Sequence, residues 1–180
     1  MVYLGIMVTD QGIPLVDPYN SAFFGELAAR YLLSKGHRNL AFIGPEAIGN
    51  GVIMHRLQGF CSYLREAGIQ LPSEHIINLT GQNIEDILKM LKKAPHPVTG
   101  IFTTADNCAF EIYGAAYRLG YRIPEDFSVI GFDDNSMSRR AIPPLTTIRQ
   151  DICQKAQLAC QMLMKKSKMQ NLLPKISSWM

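Results

Sequence analysis

With 180 residues, 47% of them hydrophobic and 18% charged, the chain is long enough to bury a core in one or two compact lobes. A formal net charge of +3 falls far short of the concentrated positive field that phosphate contacts demand, which excludes electrostatic capture of nucleic acid by this chain alone. No stretch approaches the roughly 18 apolar residues of a membrane span, and MVYLGIMVTD has neither a charged n-region nor a cleavage site, so a cytoplasmic chain with no membrane partner is expected.

In chain order, Phe24, Leu27, Ala28, Tyr31 and Leu32 recur at helical spacing and predict a first helix over about 21–35. The apolar run 40–44 (LAFIG) reads as a strand, and Leu57, Phe60, Cys61 and Leu64 as the buried stripe of the next helix. A strand at 76–79 follows, then a helix carrying Ile84, Ile87, Leu88 and Leu91. Next come the strand 100–104 (GIFTT), a helix carrying Ala109, Ile112, Ala116 and Leu119, and the strands 127–132 (FSVIGF) and 146–150 (TTIRQ). A last helix, with Asp151 as N-cap, carries Ile152, Ala156, Ala159, Cys160 and Leu163 and closes on the cations Lys165, Lys166 and Lys168, which suit the negative end of a helix dipole. Gly36, Gly68 and Gly120 each stand between a helix and the following strand, where a left-handed cap is needed. Strand, helix, glycine, strand, repeated, predicts an α/β fold with a doubly wound parallel sheet, because parallel neighbours require crossover connections. The cysteines Cys61, Cys108, Cys153 and Cys160 sit in apolar helical patterns without a C-x-x-C, as buried free thiols would.

In an open parallel sheet the ligand lies beyond the carboxyl ends of the strands, so the polar residues just after each strand carry the functional information. Here they are Glu46, Asn50 and Arg56 after the first strand, Asp106 after GIFTT, Asp133 and Asp134 after FSVIGF, and Gln150 after TTIR. An arginine and a carboxylate facing a dry crevice can hold a polyol, the planar guanidinium donating while the carboxylate accepts from neighbouring hydroxyls. The same pair, Arg56 and Asp133, could instead be a structural ion pair, and Asp133 could cap the next helix. Asp106 directly precedes a helix, which makes N-capping its first reading and ligand binding its second.

Other chemistries find little support. His37, His55, His75 and His96 show no metal-ligand spacing, and no G-x-G-x-x-G or G-x-x-x-x-G-K-[ST] cradle follows a strand. Residues 44–51 (GPEAIGNG) are glycine-rich in the right place but lack the lysine, and neither G-x-S-x-G nor a usable Cys-His arrangement is present. The expectation is a protein that is not an enzyme and uses no metal or cofactor.

The blocks YLLSKGHRNLAFIGP (31–45), HRLQGF (55–60), REAGI (65–69), IFTTADNCA (101–109), LGYRIPEDFSVIGFDD (119–134) and PPLTTIRQD (143–151), in this order, closely resemble the LacI/GalR transcriptional regulators over about residues 20–165. The resemblance implies a periplasmic-binding-protein-like type I core with a small effector in a cleft between two lobes. It further implies a dimeric repressor that reaches operator DNA only through an N-terminal helix-turn-helix headpiece, for which this sequence shows no counterpart. Residues 37–150 would then be a nearly complete C-terminal, effector-binding lobe. Residues 1–36 would be a remnant of the N-terminal lobe, and 151–180 its crossover helix and a frayed tail.

By position in these motifs, Arg56 resembles the family's effector-gripping arginine, Asp133 the carboxylate opposite, and Gln150 the residue beside the ligand where the chain recrosses; Asn50 and Val52 fall in a loop that adds contacts. The sequence departs from the family in lacking an aromatic wall at Thr80 and Gly81, and in Ala105, where some sugar-responsive members carry a polar contact. The effector these residues imply is a sugar or sugar derivative. A sugar-binding protein of a transport system shares the fold, and it would carry an export signal.

Overall fold

The computed structural model describes residues 6–8, 14–16, 20–45 and 51–149, together with Ala156, Gln157, Cys160, Gln161 and Met164. The chain divides into two compact units, one formed by Pro18–Gln150 and the other by Met1–Asp17 with Asp151–Met180. In the smaller unit, β1 (Ile6–Val8) pairs antiparallel with β2 (Pro14–Val16), Ile6 opposite Val16, a hairpin that the sequence reading did not anticipate. Ala156, Gln157, Cys160, Gln161 and Met164 are helical, in line with the helix read there from residue spacing. Asn50, Gln150, Asp151, Cys153 and the basic cluster Lys165, Lys166 and Lys168 lie outside the described residues.

The larger unit alternates helix and strand: α1 (Asn20–Ser34), β3 (Leu40–Gly44), α2 (Gly51–Glu66), β4 (Ile76–Asn78), α3 (Ile84–Lys93), β5 (Gly100–Thr103), α4 (Asp106–Leu119), β6 (Ser128–Asp133) and β7 (Thr146–Arg149). The five strands form one parallel sheet in the order β4-β3-β5-β6-β7, with Phe42 beside Phe102 and Ile101 beside Val129 in register. This is the doubly wound α/β arrangement expected from the pattern. Gly36, Gly68 and Gly120 have φ of 89°, 74° and 72°, the left-handed values that let each helix stop and the chain turn back toward the sheet.

Alternate strand residues point to opposite faces, and each face has its own core. Ala41, Ile43, Ile77, Ile101 and Val129 pack with Ile87, Leu88 and Leu91 of α3 and Ala109, Ile112 and Ala116 of α4. On the other face Leu40, Phe42, Phe102, Ile130 and Phe132 meet Phe24, Ala28 and Leu32 of α1 and Phe60 and Leu64 of α2. Phe42, Phe60 and Phe102 form an aromatic cluster there with centroids 5.5 to 6.0 Å apart.

Helix α1 therefore belongs to the same unit as the five-stranded sheet, which corrects its assignment to the other lobe. Its apolar stripe is buried on this sheet, and its backbone is in contact with α2. A Cβ on Gly59 would overlap the Ala22 carbonyl, and one on Gly25 the Arg56 carbonyl. Only glycines at this crossing let the two helices approach so closely. Cys61 and Cys108 are free thiols but only half-buried, and Cys160 is exposed, short of the burial expected from their apolar patterns.

Candidate functional site

The chain leaves β3 toward β4 on one side and later places β5 on the other side of β3. The carboxyl ends of β3 and β5 thus flank a topological switch point, where helices diverge and leave a crevice. Arg56, in the second turn of α2, reaches over the carboxyl ends of the strands. Its Nη1 donates to the Thr104 carbonyl at 2.6 Å, joining the α2 side to the end of β5. Its guanidinium carbon stands 3.5 Å from the centroid of the Phe132 ring on β6. Together these contacts fix the plane of the fork.

The side chain is 9% exposed, and burial pushes its pKa down to about 10, an effect that the negative charge of Asp133 partly opposes. Arg56 thus stays a cation at neutral pH, held in a poorly solvated place. Its Nε is buried and has no hydrogen-bond partner among the described residues. A buried donor left without an acceptor costs free energy, and a ligand oxygen would relieve that cost.

Asp133 ends β6 with φ of 119°, and Asp134 follows with φ of 53°. The two adjacent carboxylates take different partners. Asp134 lies 3.4 Å from Arg139 and 3.7 Å from Arg149, whereas Asp133 supplies the charge felt at Arg56. The structure thus brings Arg56 and Asp133 to one place from α2 and β6.

The other expected residues fare differently. Val52 lies in the first turn of α2, not in a loop, and is 39% exposed. Asn50 and Gln150 lie outside the described residues. Asp106 is not the N-cap of α4: Ala105 holds that place without a side-chain bond, and Asp106 is the first helical residue. Its carboxylate is fully buried and takes hydrogen bonds from Thr147 Oγ1, the Asn135 N–H and Ser138 Oγ, so protein donors occupy both oxygens. The sequence reading missed the Thr104 carbonyl, the Phe132 face and Ser138. The alternation of Ile130 and Phe132 in FSVIGF could have flagged Phe132 as inward-facing, but nothing local signals Ser138. Among the described residues no group of three or more His, Cys, Asp or Glu side chains could hold a metal.

A parallel sheet with helices on both faces and a desolvated cation beside a carboxylate at its switch point defines a ligand-binding α/β lobe. Residues 29–173 match the model of the periplasmic binding protein-like domain. The chain is 34% identical over 156 residues to the ribose operon repressor of Haemophilus influenzae, covering 84% of this chain and 46% of that protein. It is 32% identical over 171 residues to the HTH-type transcriptional repressor PurR of Mannheimia succiniciproducens, covering 91% and 51%. Among solved structures, a LacI family transcriptional regulator from Enterococcus faecium with bound ribose superposes with a TM-score of 0.71 at 31% identity, covering 83% of this chain and 55% of that one.

The chain belongs to the periplasmic binding protein-like domain family, and its relatives are LacI-family regulators. It spans about half the length of the curated relatives it matches.

Proposed function

We propose that this chain is the effector-binding region of a LacI-type transcriptional repressor, and that it takes a small polyol, a sugar or sugar derivative, between Arg56 and Asp133. The observation that carries the reading is the buried Arg56 fork at the sheet's switch point, one of whose N–H groups finds no acceptor among the described residues. Support comes from the relatives named as ribose operon repressors and from the neighbour with bound ribose. The reading favours a regulator over a transport protein and over an enzyme, in keeping with those names. Operator DNA is reached through a helix-turn-helix domain outside this sequence, in the cytoplasm. The repressor acts as a homodimer, whose contact would cover apolar side chains left exposed on this unit, such as Tyr117 and Ile142.

The test is calorimetric titration of the chain with D-ribose, followed by other pentoses, hexoses, nucleosides and purine bases. Saturable binding of one such compound, lost in Arg56→Ala, supports the reading. If none binds, or if Arg56→Ala binds as well as wild type, the reading is wrong.

A further inference from the structure

Asp106 accepts hydrogen bonds from Thr147 Oγ1 at 2.5 Å, from Ser138 Oγ at 2.6 Å and from the Asn135 backbone N–H at 2.8 Å. These donors lie on β7 and on the segment that follows β6, so one carboxylate at the start of α4 joins three pieces of chain. Its placement leaves no slack. A Cβ on Gly131 would overlap the carboxylate, which therefore lies directly against the β6 backbone. The Thr147 hydroxyl that donates to Asp106 also accepts from the Asp134 N–H at 3.3 Å, and the Ser138 carbonyl accepts from the Leu145 N–H at 2.8 Å.

Inside this frame sit Asp133 and Asp134, both with positive φ. Residues with a Cβ hold such backbone angles only where their surroundings over-determine them. Here the over-determination is visible: before the pair, Gly131 packs directly against the buried carboxylate, and after it, Asn135 donates its backbone N–H to the same group. The local sequence does not supply the conformation. Asp106 does, from a different element.

We propose that Asp106 is a positioning residue for effector recognition, a latch that holds the 133–138 segment so that the Asp133 carboxylate is presented within reach of Arg56. This rests on the reading of Arg56 and Asp133 as the effector grip. Asp106 itself touches no ligand, because its oxygens are already taken. Its action is by hydrogen bonding, so an asparagine should largely replace it: the amide oxygen accepts from Asn135 and Ser138, and the Thr147 hydroxyl turns to accept from the amide nitrogen.

The experiment compares wild type, Asp106→Ala and Asp106→Asn by amide hydrogen exchange without ligand and by titration with D-ribose. In Asp106→Ala the Asn135 and Ser138 amides should exchange about tenfold faster while those of β3 and β5 keep their protection, because one local set of bonds has opened. Ribose affinity should fall about tenfold or more in that variant and stay within about threefold of wild type in Asp106→Asn. Unchanged exchange with lost affinity would make Asp106 a direct ligand contact and overturn the proposal. Equal losses in Ala and Asn variants would overturn it too. Should Asp106→Ala fail to fold, Ser138→Ala and Thr147→Val, which remove one donor each, must raise exchange at Asn135 or the latch does not exist. Absence of ribose binding by wild type would defeat the choice of effector and leave the exchange measurement to decide the latch.

Discussion

Replacing Arg56 by methionine separates a residue kept for binding from one kept for folding. Burial pushes the guanidinium down to about 10, with Asp133 opposing the fall. A fall of that extent from the ordinary arginine range disfavours the folded cation by about 3 kcal/mol. Methionine removes this cost and lays a flexible apolar chain with a sulfur on the Phe132 ring, a contact of about 1 kcal/mol. Against these gains stand the Thr104 carbonyl, which loses its 2.6 Å donor at a cost of about 1 to 3 kcal/mol, and the lost cation–π contact of about 1 to 2 kcal/mol. The terms nearly cancel, so Arg56→Met should unfold in urea with a free energy within about 1 kcal/mol of wild type.

Effector affinity, by contrast, should fall at least about thirtyfold, the usual consequence of deleting one partner of a desolvated charged hydrogen bond. The sign of the pH dependence offers a second check. A base whose pKa is lower folded than unfolded leaves more protons on the unfolded chain in between, so stability from this group rises as pH climbs above about 10. Arg56→Met should lack that rise. A variant that loses more than about 2 kcal/mol at pH 7 would show that Arg56 is a keystone of packing and that the binding argument fails.

Three further outcomes follow from the same geometry. Asp133→Asn should leave the melting temperature within a few degrees of wild type but weaken D-ribose at least about tenfold in a calorimetric titration, because it removes the charge opposite Arg56 while keeping the size of the side chain. Gly59→Ala should destabilise by about 2 kcal/mol or more in urea unfolding, since its methyl meets the Ala22 carbonyl across the α1–α2 crossing. Asp126 is held below the usual carboxylate range first by the Lys92 side chain at 2.7 Å and then by the Arg122 N–H at 2.8 Å; its contribution is present at neutral pH and is lost as pH falls through its lowered value, so an acid titration of stability followed by circular dichroism should be flatter for Asp126→Asn in that acid range.

Much of this was legible before any coordinates. Five strands and four helices of the larger unit follow from runs such as LAFIG and from stripes such as Ile84, Ile87, Leu88 and Leu91, because burial on both faces of a parallel sheet imposes those patterns. The hairpin of Ile6–Val8 and Pro14–Val16 escaped notice, since three-residue strands are too short to alternate. Helix α1 was recognised as a helix but placed in the wrong lobe: spacing shows that Phe24, Ala28 and Leu32 form a buried face without showing which sheet buries it. Arg56 and Asp133 stand out in the sequence by their positions after strands, where a sheet's geometry gathers residues distant in sequence. Asp106 was found and misread as a cap, because its partners Ser138 and Thr147 lie 32 and 41 residues away and no local rule joins them. The division of labour between Asp133 and Asp134 was likewise out of reach, since it depends on backbone angles that neither residue prefers.

The Arg56 fork, stacked on Phe132 and tied to the Thr104 carbonyl, has a consequence for selectivity as distinct from affinity. A free arginine on a surface swings to follow whatever acceptor arrives, and so tolerates a hydroxyl moved from one face of a ring to the other. This one cannot swing without leaving an aromatic face and a buried carbonyl. Its remaining N–H vectors are fixed in space before any ligand enters, and most of the side-chain entropy has already been lost in folding. Two epimers that differ at a single hydroxyl would therefore meet the same immobile donors, one in register and one leaving a buried N–H unanswered, and it is the mismatched donor that sets the discrimination.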